Sequence, residues 1–490
     1  MASSTKHWLH ETRTRILLRL GRAYARFGKG PKAKRWAEFL SELQRTDHMI
    51  TVAAPQGVEE FVPVGFLMAD RLSMQGLERA KRTLVRYFQR NRFWAMDTEA
   101  IEHAFDEMMR SPYGHSWYNL GSADLRNGPL GHIVDRVDLY VTHFTSSIVL
   151  LEFTVHLAGD ARGDIAAVAM QDMAPPTEVT KLAWGRRGPM GRVHVSSQTS
   201  AKRQLINEKL DEIQRRLVAD LRPLAMELAG SGQLAPRLEI YRCKHFSDQI
   251  GDRKVPFNEF WDSVGFTRSD FEYSMTDDGF WTASLTLDKD MTQLRLLVND
   301  GWPLQAGFGN DYDLQIMHYS QYFGLAVLPF MVAHGLIASF EKYLARVRSY
   351  ASSVMTGRVR AVRAFELQYQ QIQAHRRIVH LSEIEDRQVA FAKTESHGVV
   401  GAFSPAKRYP NLQQVSAFDA VIESAKRRAS AADELYNSVR SELGAVLEVL
   451  NAKRTYTAQM SVTVLTWVTA MLTALSLAVA AYQVFGVHVK

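Results

Sequence analysis

Residues 461–482 read SVTVLTWVTAMLTALSLAVAAY, and no charged side chain occurs from Thr455 to Val487. As a helix rising ~1.5 Å per residue, this stretch is about 33 Å long, against a hydrocarbon core of roughly 30 Å. Lys453 and Arg454 stand just before it, and Tyr456 and Tyr482 lie near its two ends. Cations and aromatic rings of this kind favour the headgroup level. The reading is one transmembrane helix over 461–485, with the lipid bilayer as partner. Basic residues precede the span, and no uninterrupted apolar run of seven or more follows the first basic residues. Both features predict a single-pass, tail-anchored membrane protein whose N-terminal domain stays cytosolic.

Upstream of the span comes the most regular periodicity in the chain. Val415, Phe418, Ile422, Ala425, Ala429, Ala432, Tyr436, Val439, Leu443, Val446 and Leu450 follow one another at intervals of three and four. Five heptads in register predict a coiled-coil stalk over 413–460 that continues into the bilayer as one rod. Its seam can pack on the preceding helix, folded back as an antiparallel hairpin, or on the same helix of a second copy. Within the span, Thr466, Ala470, Ala474 and Ala478 recur every four residues and make one small-residue face. Such faces let transmembrane helices touch. Seam and face together favour a homo-oligomer.

Before the stalk, 396–412 reads as a linker with Gly398, Gly401, Pro405 and Pro410, and 321–395 as a buried apolar helix followed by a long helix. The run Tyr322–Phe340 tempts a second span, but Gly324, Pro329, His334 and Gly335 interrupt it. A span there would place the basic flank Lys342, Arg346, Arg348, Arg358 and Arg360 in the cytosol and force the preceding domain across the membrane. Residues 46–320 read as a mixed α/β domain with antiparallel hairpins. Val137–Phe144 and Ile148–Leu157 alternate about a short turn, with Val149, Leu151, Phe153, Val155 and Leu157 on one face. Phe271–Thr276 and Phe280–Leu287 flank Asp277-Asp278-Gly279, a hairpin turn sequence. Leu238–Cys243 and Thr292–Asn299 read as strands, 158–199 as irregular, and Ala201–Ala229 as helix. The fold class is therefore α+β, followed by long coiled-coil helices and one C-terminal transmembrane helix.

The 490 residues are 46% hydrophobic and 23% charged, a globular balance with room for two or three domains. The net charge of +7 is local, because residues 1–37 hold ten Lys or Arg and one acid, Glu11. Trp8, Leu9, Ile16, Leu17, Leu20, Tyr24 and Phe27 fall at helical spacing among those cations. Residues 1–45 thus read as a basic amphipathic segment, suited to anionic lipid through residues 6–35. A first helix docked on the main domain has the same pattern, as does a mitochondrial transit peptide if the source is eukaryotic. No second basic cluster accompanies it, so no specific nucleic-acid partner is expected.

Chemistry is harder to place. The single cysteine, Cys243, excludes an intrachain disulfide and a cysteine-rich zinc site. It stands between Arg242 and Lys244, which could lower a thiol pKa, but strand alternation turns both away from it. No phosphate loop, dinucleotide fingerprint, zinc-protease motif or nucleophile elbow occurs. Trp184–Arg192 (WGRRGPMGR) is basic and glycine-bearing, but without a strand–loop–helix frame it reads as a surface loop. His115, His132, His143 and His156 lie near Asp135 and Asp138; their spacings match no ligand motif and suit separately satisfied histidines. Asp300, Asn310, Asp311 and Asp313 lack calcium-loop spacing. No metal or cofactor is expected, and no catalytic or cofactor-binding residue is assigned.

The order of parts resembles the CorA-type magnesium channel family. Leu450-Asn451, Ser461-Val462-Thr463-Val464, Tyr482 and Gly486 are similar to that family's stalk and first membrane helix. Gly486 is followed by Val487 and His488 rather than the family's Met-Asn, and a second membrane helix is missing. The function expected is that of a self-associating sensor, scaffold or effector at a membrane. The alternatives are a membrane-tethered enzyme or ligand-binding domain, and an oligomeric ion-conducting pore.

Overall fold

The computed structural model of the chain describes residues 58–73, 77–91, 97–110, 117–145, 148–171, 177–185, 188–195, 198–221, 234–245, 271–275, 281–285, 293–299, 306–308, 311–355, 403–405 and 416–486, with isolated positions between them. The chain divides into two compact units, Met1–Gly335 with Glu385–Ser424, and Leu336–Ile384 with Ala425–Lys490.

In the first unit, strand β4 (Ile148–Leu157) shows why a sheet forms here. Its side chains alternate between two faces, and every one of its residues is buried. On one face Val149, Leu151, Phe153, Val155 and Leu157 enter a core shared with four helices. These are α1 (Leu77–Arg90), α2 (Thr98–Arg110), α3 (Gly159–Met170) and α4 (Gln198–Asp220). They contribute Leu84, Phe88, Phe105, Ile165 and Ile206, among others. Each large apolar side chain buried there stabilises the fold by ~1.5–3 kcal/mol.

β4 pairs antiparallel with β1 (Val58–Ser73) and β3 (Val134–Thr145). β2 (Trp117–Asp124) adds to β3. Beyond β1 lie β7 (Arg237–His245) and β10 (Gln293–Asn299), which run parallel to each other. These six strands form a mixed sheet, β10-β7-β1-β4-β3-β2, which β9 (Trp281–Leu285), β8 (Phe271–Met275) and β11 (Phe403–Pro405) extend to nine. Both hairpins expected from the sequence are present, as β3–β4 and β8–β9. The stretch 158–199 is not irregular. It holds α3 and a separate hairpin of β5 (Thr177–Gly185) and β6 (Gly188–Val195). Of Trp184–Arg192, the described residues belong to these two strands, with Trp184 opposite Pro189, while Arg186 and Arg187 lie outside the described residues. Helix α3 escaped notice because two of its three buried positions, Ala161 and Ala169, are alanines beside Ile165, a weak apolar stripe.

The opposite face of the sheet is covered by α5 (Tyr312–Met355). Its start is capped by Asp311, whose Oδ1 accepts the Leu314 N–H at 2.9 Å. A Cβ at Gly324 would strike Leu67, and Phe330 meets Phe144 edge-on with centroids 5.2 Å apart. A Cβ at Gly65 would collide with the Val155 carbonyl oxygen and the Met317 side chain. The backbone cannot yield without disturbing the β1–β4 ladder. Gly65→Ala is therefore expected to cost about 1–3 kcal/mol, read as a lower urea midpoint; an unchanged midpoint would mean that α5 is not seated this closely on β1.

Among the described residues, two helices are long and apolar enough to cross a membrane. The window in Tyr312–Tyr350 is 83% buried inside the protein, whereas that in Ala417–Ala481, within α6 (Ala417–Gly486), is not buried at all. Ser416 starts α6: its hydroxyl donates to the Asp419 carboxylate at 2.7 Å and accepts the Asp419 N–H at 3.1 Å.

In the second unit, the distal part of α5 lies along α6. Glu341 pairs with Arg428 at 2.7 Å and Arg348 with Glu442 at 2.6 Å. The pairs advance in the same direction on both helices, so these stretches of α5 and α6 run parallel. His375 is stacked on Tyr436 at 3.6 Å and bonded to Asp433 at 3.0 Å. Seam residues Ala425, Ala429, Ala432, Tyr436, Val439, Leu443 and Val446 are buried within this single chain.

Candidate functional site

Strand β3 is apolar on one face, through Val137, Leu139 and Val141. Period-2 alternation places Arg136, Asp138 and Tyr140 on the other face, beneath α5. The register sets His156 of β4 opposite Arg136. On β2 a bulge between Asn119 and Gly121 inserts Leu120. Gly121 sits there at φ 116°, a left-handed conformation that favours glycine, and its N–H donates to Asn119 Oδ1 at 2.8 Å. With the inserted residue absorbed, Asn119 faces Tyr140 and Ser122 faces Asp138, so both sides of the bulge serve one surface.

These side chains wall a cavity of about 360 Å³ between the sheet and the start of α5. The sheet supplies Trp117, Asn119, Arg136, Asp138, Tyr140 and His156. The 3₁₀ turn Ala306–Phe308 supplies Phe308. Helix α5 supplies Leu314, Met317, His318, Gln321, Tyr322 and Leu325. Trp117 and Tyr140 are tilted neighbours with centroids 5.9 Å apart on the sheet wall. Facing them, the His318 ring stands edge-on to Tyr322 at 5.1 Å and near Phe308 at 5.1 Å.

The polar centre is Asp138. His156 Nε2 lies 2.9 Å from its Oδ2, Arg136 Nε donates to its Oδ1 at 2.6 Å, and Arg136 Nη2 donates to Ser122 at 2.8 Å. Burial pushes the Asp138 carboxyl up, but the hydrogen bonds from His156 and Ser122 and the charges beside it prevail, and it stays below its ordinary value. It is therefore a carboxylate that can only accept, so His156 Nε2 carries the proton and Nδ1 is the ring nitrogen left for a bound molecule. Burial lowers His318 from its ordinary value, with Asp138 opposing, which favours a neutral ring at neutral pH. Burial also raises Tyr140 to about 12, so its hydroxyl, bonded to Gln321, remains a phenol.

Other candidates from the sequence fall elsewhere. His132 is exposed and 3.3 Å from Arg216, His143 is buried, and His115, Asp300 and Asn310 lie outside the described residues. His156 has its own partner in Asp138. Asp313 joins Arg162 and Arg242, pinning the start of α5. Among the described residues no group of three His, Cys, Asp or Glu is placed to hold a metal ion. Cys243 is buried in the core. Seam residue Phe418 meets Phe330 edge-on at 5.7 Å, Ile422 is buried, Leu450 is half-buried and Val415 lies outside the described residues. Thr466, Ala470, Ala474 and Ala478 are all exposed. The basic segment 1–45 is described only at Arg26 and Lys34, both helical and exposed.

Sequence reading passed over Trp117, Tyr140, Phe308, His318, Gln321 and Tyr322. A signal existed: Leu314, Met317, His318, Gln321, Tyr322 and Leu325 recur at helical spacing and mix polar with aromatic groups on one face. Compared with family models, curated proteins and solved structures, the chain matches none.

Proposed function

We propose that this protein is a membrane-anchored sensor whose α+β unit binds a small organic ligand. The observation that carries the reading is the cavity of about 360 Å³ beside the Asp138–His156 pair. Its size and its mixture of aromatic walls with a few oriented polar groups are those of small-molecule sites.

The anchor is α6. From Asn451 to Ala481 its side chains are exposed on every side, Leu465, Trp467 and Leu475 at 66% each. A bare apolar helix of this length is at home in lipid and not in water. The hydroxyls of Thr463, Thr466, Thr469 and Thr473 each donate to their own helix, four residues back, at 2.8–2.9 Å. Hydrocarbon requires such internal satisfaction, and it argues against a wet, pore-lining threonine face. In this reading the helix is a single-pass tail anchor, and the preceding units are cytosolic. Much of the heptad seam is occupied inside the chain, which leaves the Thr466–Ala470–Ala474–Ala478 face for self-association. Leucine at Ala470 and Ala474 is then expected to lower the oligomer mass in mild detergent.

Ligand binding is tested on intact protein in lipid nanodiscs, exposed to a small-molecule extract and analysed by mass spectrometry for retained compounds. The native protein is expected to retain a compound that the cavity-filled variant Gln321→Trp does not. Identical profiles from the two proteins would remove ligand binding from the account.

A further inference from the structure

The lining chemistry narrows the ligand class, an inference that rests on the ligand-binding reading above. Rings stand on both walls: Trp117 and Tyr140 on the sheet, Phe308, His318 and Tyr322 on the turn and helix. Aromatic faces gain most from offset or edge-on contact with another ring, so a flat molecule is the shape that uses both walls. The fixed charges cancel locally, because Arg136 is bonded to Asp138 at 2.6 Å, and burial disfavours a charge on His318. An ionic ligand would lose its hydration without a free counter-charge inside, which is costly.

Hydrogen-bond polarity adds direction. Asn119 Oδ1 is taken by the Gly121 N–H, so the amide presents chiefly its NH₂ donor. His156, with Nε2 held by Asp138, presents Nδ1, which accepts whenever the ring is neutral. Asn119 lies opposite Tyr140, and His156 opposite Arg136, four residues earlier on β3. The two points are therefore separated by roughly 13 Å along the strand direction, before the side chains lean together. The geometry points to a flat, uncharged nitrogen heterocycle of two or three fused rings, with a ring N–H directed at His156 and a carbonyl or ring nitrogen directed towards Asn119.

Lumichrome, a neutral fluorescent three-ring heterocycle with N–H and carbonyl groups, is a direct probe. Fluorescence polarisation on intact protein in nanodiscs is expected to give saturable binding, displaced by hypoxanthine but not by flavin mononucleotide or adamantane carboxamide. His156→Leu leaves Asp138 its bonds from Arg136 and Ser122, and losing one hydrogen bond should weaken binding about tenfold. Gln321→Trp should abolish it and serves as a second variant should His156→Leu fail to fold. Absence of saturable lumichrome binding, or equal displacement by the charged or saturated competitor, overturns the class. If the extract experiment still returns a ligand of another shape, the sensor reading survives that loss; if it returns none, both fall.

Discussion

Glu239→Ala is expected to destabilise the first unit by about 3–5 kcal/mol, because it leaves buried cations without the carboxylate they share. Glu239 is 1% exposed and accepts from Arg237 Nε at 2.8 Å, Arg295 Nε at 2.9 Å and the Tyr241 hydroxyl at 2.9 Å. Both arginines are buried as deeply, although Arg237 also reaches Asp211. Burial alone would raise the carboxyl; Arg295, then Arg237 and Tyr241, outweigh it and bring Glu239 to about 2, against an ordinary 4.5. A depressed folded value means that the unfolded chain binds the proton first as pH falls. The contribution is present in full above pH 4.5 and lost as pH drops towards 2. Urea titrations of the detergent-solubilised protein should therefore show a steep acid limb that Glu239→Ala lacks. A loss below ~1 kcal/mol at pH 7 would mean that water reaches the cluster and pairing there is worth no more than at a surface.

Glu152 should behave in the opposite way. It lies on β4 opposite Tyr140 and is wholly buried, with no cation paired to its carboxyl group among the described residues. Burial raises it to about 8, with the Thr142 hydroxyl only partly relieving the strain. The folded protein thus keeps a proton that the unfolded chain releases near pH 4.5, so stability falls as pH rises between those values, by ~1.4 kcal/mol per unit. Glu152→Gln removes the titration. Between pH 5 and pH 8 the variant is expected to gain about 4 kcal/mol relative to the native protein. Parallel stability curves for the two proteins would show that the carboxyl titrates alike in both states. Glu152 shares its sheet face with His156, so acid conditions that steady this strand also steady the cavity floor.

Particular residues explain what could be read in advance. The β3–β4 hairpin was legible because apolar residues alternate over ten positions, and a one-residue slip would turn Phe153 and Val155 off the core. The start of α6 was legible through its heptads. The cavity was not. Arg136 and His156 are twenty residues apart in sequence and meet only because the hairpin register sets them opposite each other. Asn119 joins them through a bulge at Gly121, which composition does not announce. Asp313 gave no role in the sequence because nothing local reveals Arg162 and Arg242, its partners from α3 and β7.

Local chemistry alone determined the α+β class, its hairpins and the long apolar stretch at 461–482, since each follows from periodicity or from a run without charge. Tertiary structure supplied what covers the first of the two apolar helices. Hydropathy is the same for both, and only the sheet beneath α5 buries one of them. It also decided that the α5–α6 pair runs parallel, and that Asp138 and His156 share a cavity. Long-range register is set by the packing of whole elements, and no window of sequence contains it.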